Sequence, residues 1–210
     1  MKHADAVLLV EGRDDEHVLY ALAVAHQLPQ TFAVKAIDGK DPLLSDLKLR
    51  LKARNERRLA VMLDADEDLA ARWRAVRTLV DAAFPGKLPE APDRDGAVVE
   101  LAEGFTFGAW LMPDNTLPGV LETFLAFLVP TDDAVMPRVD AMIGALGEAR
   151  RFPEVRVPKA RIHAWLALQE EPGKPLGQAI TARYLDPQLD AAKRFVAWLR
   201  RMFPVPTVTS

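Results

Sequence analysis

Cysteine is absent from this sequence of 210 residues. Its absence excludes disulfide bridges, thiolate zinc sites and thiol nucleophiles together. Long apolar runs are also missing, because no stretch approaches the roughly 20 residues that a membrane-spanning helix needs. The short apolar run near the N-terminus lacks the small-residue cleavage site of a signal peptide. We therefore expect a cytoplasmic protein that makes no membrane association.

An excess of basic charge is lacking as well, since 27 lysines and arginines face 30 aspartates and glutamates, for a formal net charge of −3. Proteins that bind nucleic acid often carry a basic total, so any such binding here must use a local patch. The two densest basic stretches are residues 48–58 and residues 150–161. Each stretch fits a surface that follows a phosphate backbone, and each fits a solvated helix face equally well.

What the sequence does have is a hydrophobic half, enough for a packed core. Apolar runs at residues 4–10, 31–37 and 59–63 predict buried strands, and helical spacing between them predicts helices. Two further strand-like runs, 97–101 and 105–112, precede segments with helical spacing. This order predicts an α/β fold whose mainly parallel sheet is covered by helices on both faces. We expect residues 1–130 to form this core and residues 131–210 a helical extension packed on it.

Acidic residues follow four of the predicted strands. They are Glu11, Asp38, Asp64 together with Asp66, and Asp114. In a parallel sheet, ligands bind beyond the carboxyl ends of the strands, so these acids are expected at one edge. Asp64 and Asp66 alternate across one residue, and in an extended segment both side chains point the same way. Asp38 precedes a glycine, and we assign it to a turn.

Carboxylates gathered at one edge raise one another's proton affinity, and a hard cation relieves the conflict. Magnesium prefers oxygen ligands, can polarise a phosphoryl oxygen and can generate hydroxide. Asp15 lies about one helical turn after Glu11 and can lean back toward the same site. The alternative for any one acid is a helix cap or a solvated role, and Asp14 or Asp15 suits the N-cap of the first helix. We predict a Mg²⁺ or Mn²⁺ site formed by Glu11, Asp15, Asp64, Asp66, Asp114 and Glu122.

Residues 8–15, LLVEGRDD, and residues 62–66, MLDAD, resemble the Toprim domain, which topoisomerases, DnaG-type primases, RecR-type repair proteins and OLD-family nucleases share. The resemblance covers about residues 7–129. It implies that Glu11 matches the first-strand glutamate, which is often assigned acid–base work, and that Asp64 and Asp66 match the DxD pair. It also implies that Asp15 matches a second acid of OLD-like nucleases, and that Lys159 is their phosphate or transition-state partner.

Residues 110–122, 159–167 and 171–177 resemble a family of small, stand-alone bacterial Toprim proteins of unassigned function, related to the OLD type. With them the resemblance spans nearly the whole chain. The chain lacks the length of a type IA topoisomerase and the cysteine zinc modules usual in primases and RecR proteins. It also lacks the G-x-x-x-x-G-K-[ST] motif, so we expect any ATP hydrolysis to come from a separate ATPase partner.

The prediction is a metal-dependent nuclease that acts on nucleic acid, with Glu11, Asp64, Asp66 and Lys159 as its catalytic residues. One alternative is a non-catalytic module that binds nucleic acid, a nucleotide or a partner ATPase through the same acidic edge. Another is a phosphohydrolase of small nucleotides. His163 is assigned to a packed or surface role. Nothing in the sequence indicates an organic cofactor.

Overall fold

The computed structural model describes residues 5–205, and within that range the chain forms five strands and eight α-helices. The strands are β1 (Ala6–Val10), β2 (Ala33–Ala36), β3 (Arg58–Asp64), β4 (Ala97–Ala102) and β5 (Phe105–Met112). The helices are α1 (Arg13–Ala25), α2 (Lys40–Ala53), α3 (Leu69–Asp81), α4 (Leu121–Ala126), α5 (Met136–Ala145), α6 (Val157–Ala167), α7 (Leu176–Thr181) and α8 (Asp190–Met202). The first position of the predicted strand at 4–10 lies outside the described residues.

The sheet has the order β2-β1-β3-β5-β4. Strands β2, β1, β3 and β5 are parallel, and β4 pairs antiparallel with β5 through a tight hairpin at residues 103–104. The predicted α/β fold with a mainly parallel sheet is therefore confirmed. Because the four parallel strands run the same way, their carboxyl ends share one edge of the sheet, hereafter the carboxyl edge. The segments after β1, β2, β3 and β5 all start there.

Both faces of the sheet are covered by helices, as the buried strands predict. All five residues of β1 are buried, and they alternate between two cores because successive strand residues point to opposite faces. Leu8 belongs to the core under α1 and the C-terminal helices, whereas Leu9 belongs to the core under α2 and α3. Ile162 in α6 and Phe195 in α8 share the core of Leu8. The helices that follow the sheet are thus packed on one of its faces.

Aromatic side chains fix α8 on the sheet. The ring of Trp110 in β5 lies with its centroid 5.2 Å from that of Phe195 and 5.7 Å from that of Trp198. The indole N–H of Trp198 donates to the carbonyl of Ala97 at 3.0 Å. Gly96 has φ of +81°, and a Cβ there would lie 2.5 Å from Trp198, so both the backbone and the packing require glycine.

Among residues 5–205, no helix is long and apolar enough to cross a membrane.

Candidate functional site

Glu11 and Asp64 meet at the carboxyl edge because β1 and β3 are neighbours in the sheet. Glu11 Oε1 accepts the backbone N–H of Asp64 at 2.9 Å. Asp64 Oδ1 in turn accepts the backbone N–H of Leu121, the first residue of α4, at 2.9 Å. These two carboxylates therefore tie together the ends of two strands and the start of a helix.

Asp15 lies in the first turn of α1 and its side chain is buried. Its Oδ2 accepts the backbone N–H of Gly12 at 3.0 Å, so the carboxylate leans back toward the end of β1. The helix begins at Arg13, and Gly12 occupies the cap position. The prediction of Asp14 or Asp15 as the N-cap is therefore wrong, because the chain turns into helix earlier than an aspartate cap implies.

Glu11, Asp15 and Asp64 have raised pKa values. Burial raises the pKa of Asp15 to about 7, and the negative charges of Glu11 and Glu122 add to the effect. Burial also raises the pKa of Asp64 well above its usual value, reinforced by the charges of Asp15, Glu11 and Glu122. The pKa of Glu11 is raised by burial despite the hydrogen bond from Asp64. Mutual repulsion of this kind is relieved when a cation binds.

Asp66 faces a different environment from Asp64. Its φ is 53°, in the left-handed region, so the Asp64-Ala65-Asp66 segment does not stay extended as expected from its alternation. Its backbone N–H donates to Gly119 at 2.9 Å, and the Gly119 N–H donates back at 2.7 Å. Its carboxylate pairs with Arg72, and Lys40 Nζ lies 3.9 Å away. The charge of Asp66 is therefore balanced by two cationic side chains of the protein itself.

Arg72 is a site residue that the sequence reasoning missed. Its buried guanidinium donates from Nε to the backbone carbonyl of Asp64 at 2.8 Å and from a second nitrogen to the carboxylate of Asp66. In α3 it is buried on the same stripe as Val76 and Val80. The sequence does contain a signal for this role. Arg72 lies four residues before Val76 on the apolar stripe of the helix, and a buried arginine needs a buried partner.

Glu122 and Lys159 come together across α4 and α6. Glu122 is buried, and Lys159 Nζ lies 3.4 Å from its Oε1. Both line a pocket of about 350 Å³, together with Asp15 and Asp64. The walls of this acid pocket come from the starts of α1, α4 and α6, and its cations are Arg13, Arg156 and Lys159. The pocket thus combines an acidic floor with a basic rim.

Asp114, a predicted ligand, and His163, assigned to a packed or surface role, are not among the residues that line the acid pocket. Asp114 accepts the backbone N–H groups of Thr116 and Leu117 at 3.0 and 2.9 Å, and also the Thr116 hydroxyl at 2.9 Å. All three bonds end on Oδ1, so the carboxylate organises its own turn after β5, while Oδ2 accepts no hydrogen bond within residues 5–205. His163 is exposed on α6.

Metal binding depends on which oxygens remain available. No three histidine, aspartate or glutamate side chains among residues 5–205 stand arranged as ligands of one ion. The donors are nevertheless all carboxylate oxygens, which suit Mg²⁺ or Mn²⁺. Over the same range Glu11 and Asp64 each keep a second oxygen that accepts no hydrogen bond. The donor set fits a hard divalent cation in its chemistry.

Comparisons with known proteins give a family and a structural likeness. A family model described as Protein of unknown function (DUF3226) matches residues 5–204. Two structures of the C-terminal region of the OLD protein of Xanthomonas campestris pv. campestris are similar to the chain. One has 17% identity, covering 94% of this chain and 86% of that one, with a TM-score of 0.42. The other has 16% identity, covering 96% of each chain, with a TM-score of 0.45.

No curated protein matches the sequence. At such identities the structural likeness assigns no activity to this chain. The Toprim resemblance of its motifs therefore stays a prediction.

Proposed function

Because the chain belongs to DUF3226, a protein family of unknown function, its activity has to be inferred from its own site, and we propose divalent-cation-dependent cleavage of phosphodiester bonds in nucleic acid. One observation carries the proposal. The acid pocket holds two buried carboxylates, Asp15 and Asp64, whose pKa values are raised by burial and by neighbouring acids, and Arg13, Arg156 and Lys159 line the same pocket. Such a pocket suits a metal ion on its floor and a phosphate at its rim. The Toprim-like motifs around Glu11 and Asp64 support the same chemistry.

Glu11, Asp15 and Asp64 are the residues that would hold Mg²⁺ or Mn²⁺, and their side chains would have to reorient to share one ion. When bound, the ion polarises a phosphoryl oxygen and lowers the pKa of a water ligand. Asp66 and Glu122 are weaker candidates as ligands, because Arg72 and Lys159 already neutralise them. Their role in the proposal is to fix the Asp64 segment and Lys159.

The basic rim acts on the substrate. Lys159 carries an exposed ammonium group at the mouth of the pocket, where it can bind a phosphate oxygen as a point charge. Its partner Glu122 orients it, since the two groups lie 3.4 Å apart. Preorganised positive charge at the place where negative charge develops is the usual source of rate enhancement in phosphoryl transfer.

The test is a cleavage assay on single- and double-stranded DNA and RNA with Mg²⁺ or Mn²⁺. We expect Asp64→Asn to lower the cleavage rate by at least about 100-fold, because it removes charge where the metal binds. The amide keeps an oxygen for the Leu121 N–H, so the chain should stay folded. Calorimetric titration with Mn²⁺ should show weaker binding by the same variant. Glu171→Gln is the matched control, since Glu171 is exposed and its carboxylate forms an ion pair with Lys174, away from the acid pocket.

Three outcomes would redirect the assignment. Wild-type protein that cuts neither DNA nor RNA with either metal would count against phosphodiester cleavage. Metal and polynucleotide binding without turnover would favour a non-catalytic module, with turnover depending on a separate ATPase partner. Release of inorganic phosphate from small nucleotides alone would favour a nucleotide phosphohydrolase.

A further inference from the structure

The two basic stretches of the sequence lie at opposite edges of the sheet. Arg58 begins β3, and the backbone N–H of Arg57 donates to the carbonyl of Asp5 just before β1. This first stretch is thus at the edge where the parallel strands start. Arg156 and Lys159 of the second stretch line the acid pocket at the carboxyl edge. Only the second stretch is placed to act with the acids.

Two arginines of the acid pocket are available to an anionic ligand. Arg13 stands at the start of α1 and Arg156 at the start of α6, and both side chains are exposed. Neither forms an ion pair within residues 5–205, whereas Lys159 pairs with Glu122. Two separate walls of one pocket therefore each present a cation that has no carboxylate partner in this part of the chain.

The pocket is also small, and its lining is partly apolar. Its volume of about 350 Å³ is near the lower end for small-ligand sites, roughly the space for one nucleotide. Val155 lines it next to Arg156 and is 47% exposed. An apolar side chain can pack against the face of an unpaired base, a contact that the stacked base pairs of a duplex do not offer.

We propose that a single strand of nucleic acid crosses the acid pocket between α1 and α6, with its phosphates on Arg13 and Arg156 and one base against Val155. This inference rests on the proposed function for the role of the acids, but the binding surface is tested separately from cleavage. The formal net charge of the whole chain is −3, so attraction of a polyanion has to come from local cations such as these two arginines.

The experiment measures binding of a fluorescein-labelled 12-nucleotide single strand by anisotropy over a range of salt concentrations. Ca²⁺ replaces Mg²⁺, and a gel confirms that the strand stays intact. Loss of one phosphate contact lowers the slope of log affinity against log salt by about 0.7 for single strands. We expect that change for Arg13→Ala and for Arg156→Ala, and about twice that change for the double variant. Arg57→Ala removes the same charge at the opposite edge and should leave the slope unchanged.

The inference is overturned if wild type does not bind the strand, if Arg13→Ala and Arg156→Ala keep the wild-type slope, or if Arg57→Ala lowers it equally. Duplex competing as well as single strand would overturn the choice of a single strand. If wild type cleaves nucleic acid but the arginine variants keep the wild-type slope, the proposed function stands and the binding surface is wrong. If the arginine variants lower the slope but wild type cleaves nothing, the binding surface stands and the proposed function is wrong.

Discussion

The carboxylates at the carboxyl edge of the sheet differ in the cations beside them. We call Asp15 and Asp64 the inner group, and Asp66 with its cations Arg72 and Lys40 the outer group. Asp15 and Asp64 are largely removed from water, and their carboxylates contact backbone N–H groups but no cation within residues 5–205. Asp66 is half-exposed and lies against Arg72 and Lys40. Two residues apart in the sequence, Asp64 and Asp66 therefore have opposite electrostatic surroundings.

The difference shows what the inner group lacks. Arg72 supplies Asp66 with the positive charge that a metal is proposed to supply to Asp15 and Asp64. Glu11 is affected by both groups. Burial and the charge of Asp66 raise its pKa, whereas the hydrogen bond from the Asp64 N–H and the charges of Arg72 and Lys40 lower it. Changes to either group should thus be detected at Glu11. Removing one charge at a time separates the contribution of each group.

The largest effect is expected from pH on the metal-free protein. Folding raises the pKa of Asp15 from 3.8 to about 7, so between these values the folded state holds a proton that the unfolded state has lost. The stabilising contribution is complete below about pH 4 and is lost as pH rises through about 7. The difference amounts to about 4 kcal/mol over the whole range, of which about 3 kcal/mol falls between pH 4.5 and 8. Urea unfolding of wild type and Asp15→Asn in EDTA, between pH 4.5 and 8, measures it.

The Asp15→Asn variant is its own control for this effect. The amide oxygen can still accept the Gly12 N–H, but the side chain no longer titrates. The stability of wild type relative to this variant should therefore fall with rising pH. Saturating Mg²⁺ should restore wild type at pH 8 and stabilise the variant less. A constant difference between the two proteins across this pH range would contradict the raised pKa.

Arg72→Met should have an intermediate effect, on the outer group. The change leaves the Asp64 carbonyl without its side-chain donor and Asp66 without its closest cation. Losing a partner from a buried polar group costs about 1–3 kcal/mol. We expect the free energy of unfolding to fall by about 2 kcal/mol, measured by urea titration at pH 7.

Arg72→Lys should recover only part of that loss, because an ammonium group lacks the planar fork that reaches both partners. Arg77→Met is the matched control, since Arg77 lies on the same helix and pairs with Asp81 at the partly exposed surface. Its cost should be below about 1 kcal/mol. Equal losses for the two methionine variants would mean that Arg72 contributes nothing specific to the Asp64 segment.

The arrangement of the inner group was largely predictable from the sequence. Apolar runs that end in acids predicted parallel strands, and parallel strands bring Glu11 to Asp64. Asp15 was placed by helical spacing alone. These inferences succeed because they depend on local periodicity and on the common direction of the strands.

The surroundings of Asp66 and of Asp114 were less predictable, because they depend on contacts that spacing does not specify. The left-handed φ of Asp66 follows from paired hydrogen bonds to Gly119, which lies far along the chain. Asp114 follows a strand in the same way as Glu11, but its Oδ1 accepts three hydrogen bonds from the residues that come next in the chain. Neither outcome is encoded in the period of a helix or strand.

The smallest effect is expected from Lys40→Ala. Lys40 lies 3.9 Å from Asp66 with both side chains more than two-fifths exposed, so the free energy of unfolding should change by less than about 0.5 kcal/mol. Its charge also lowers the pKa of Glu11, which means that it acts against a cation bound nearby. Removing it should tighten Mn²⁺ binding about two- to threefold at low salt and hardly at all in 1 M salt, where the screening length is about 3 Å.

Lys174→Ala, which breaks the Glu171 pair, should leave Mn²⁺ affinity unchanged at both salt concentrations. Calorimetric titration distinguishes them, and an unchanged affinity in Lys40→Ala would mean that the two groups are electrostatically independent.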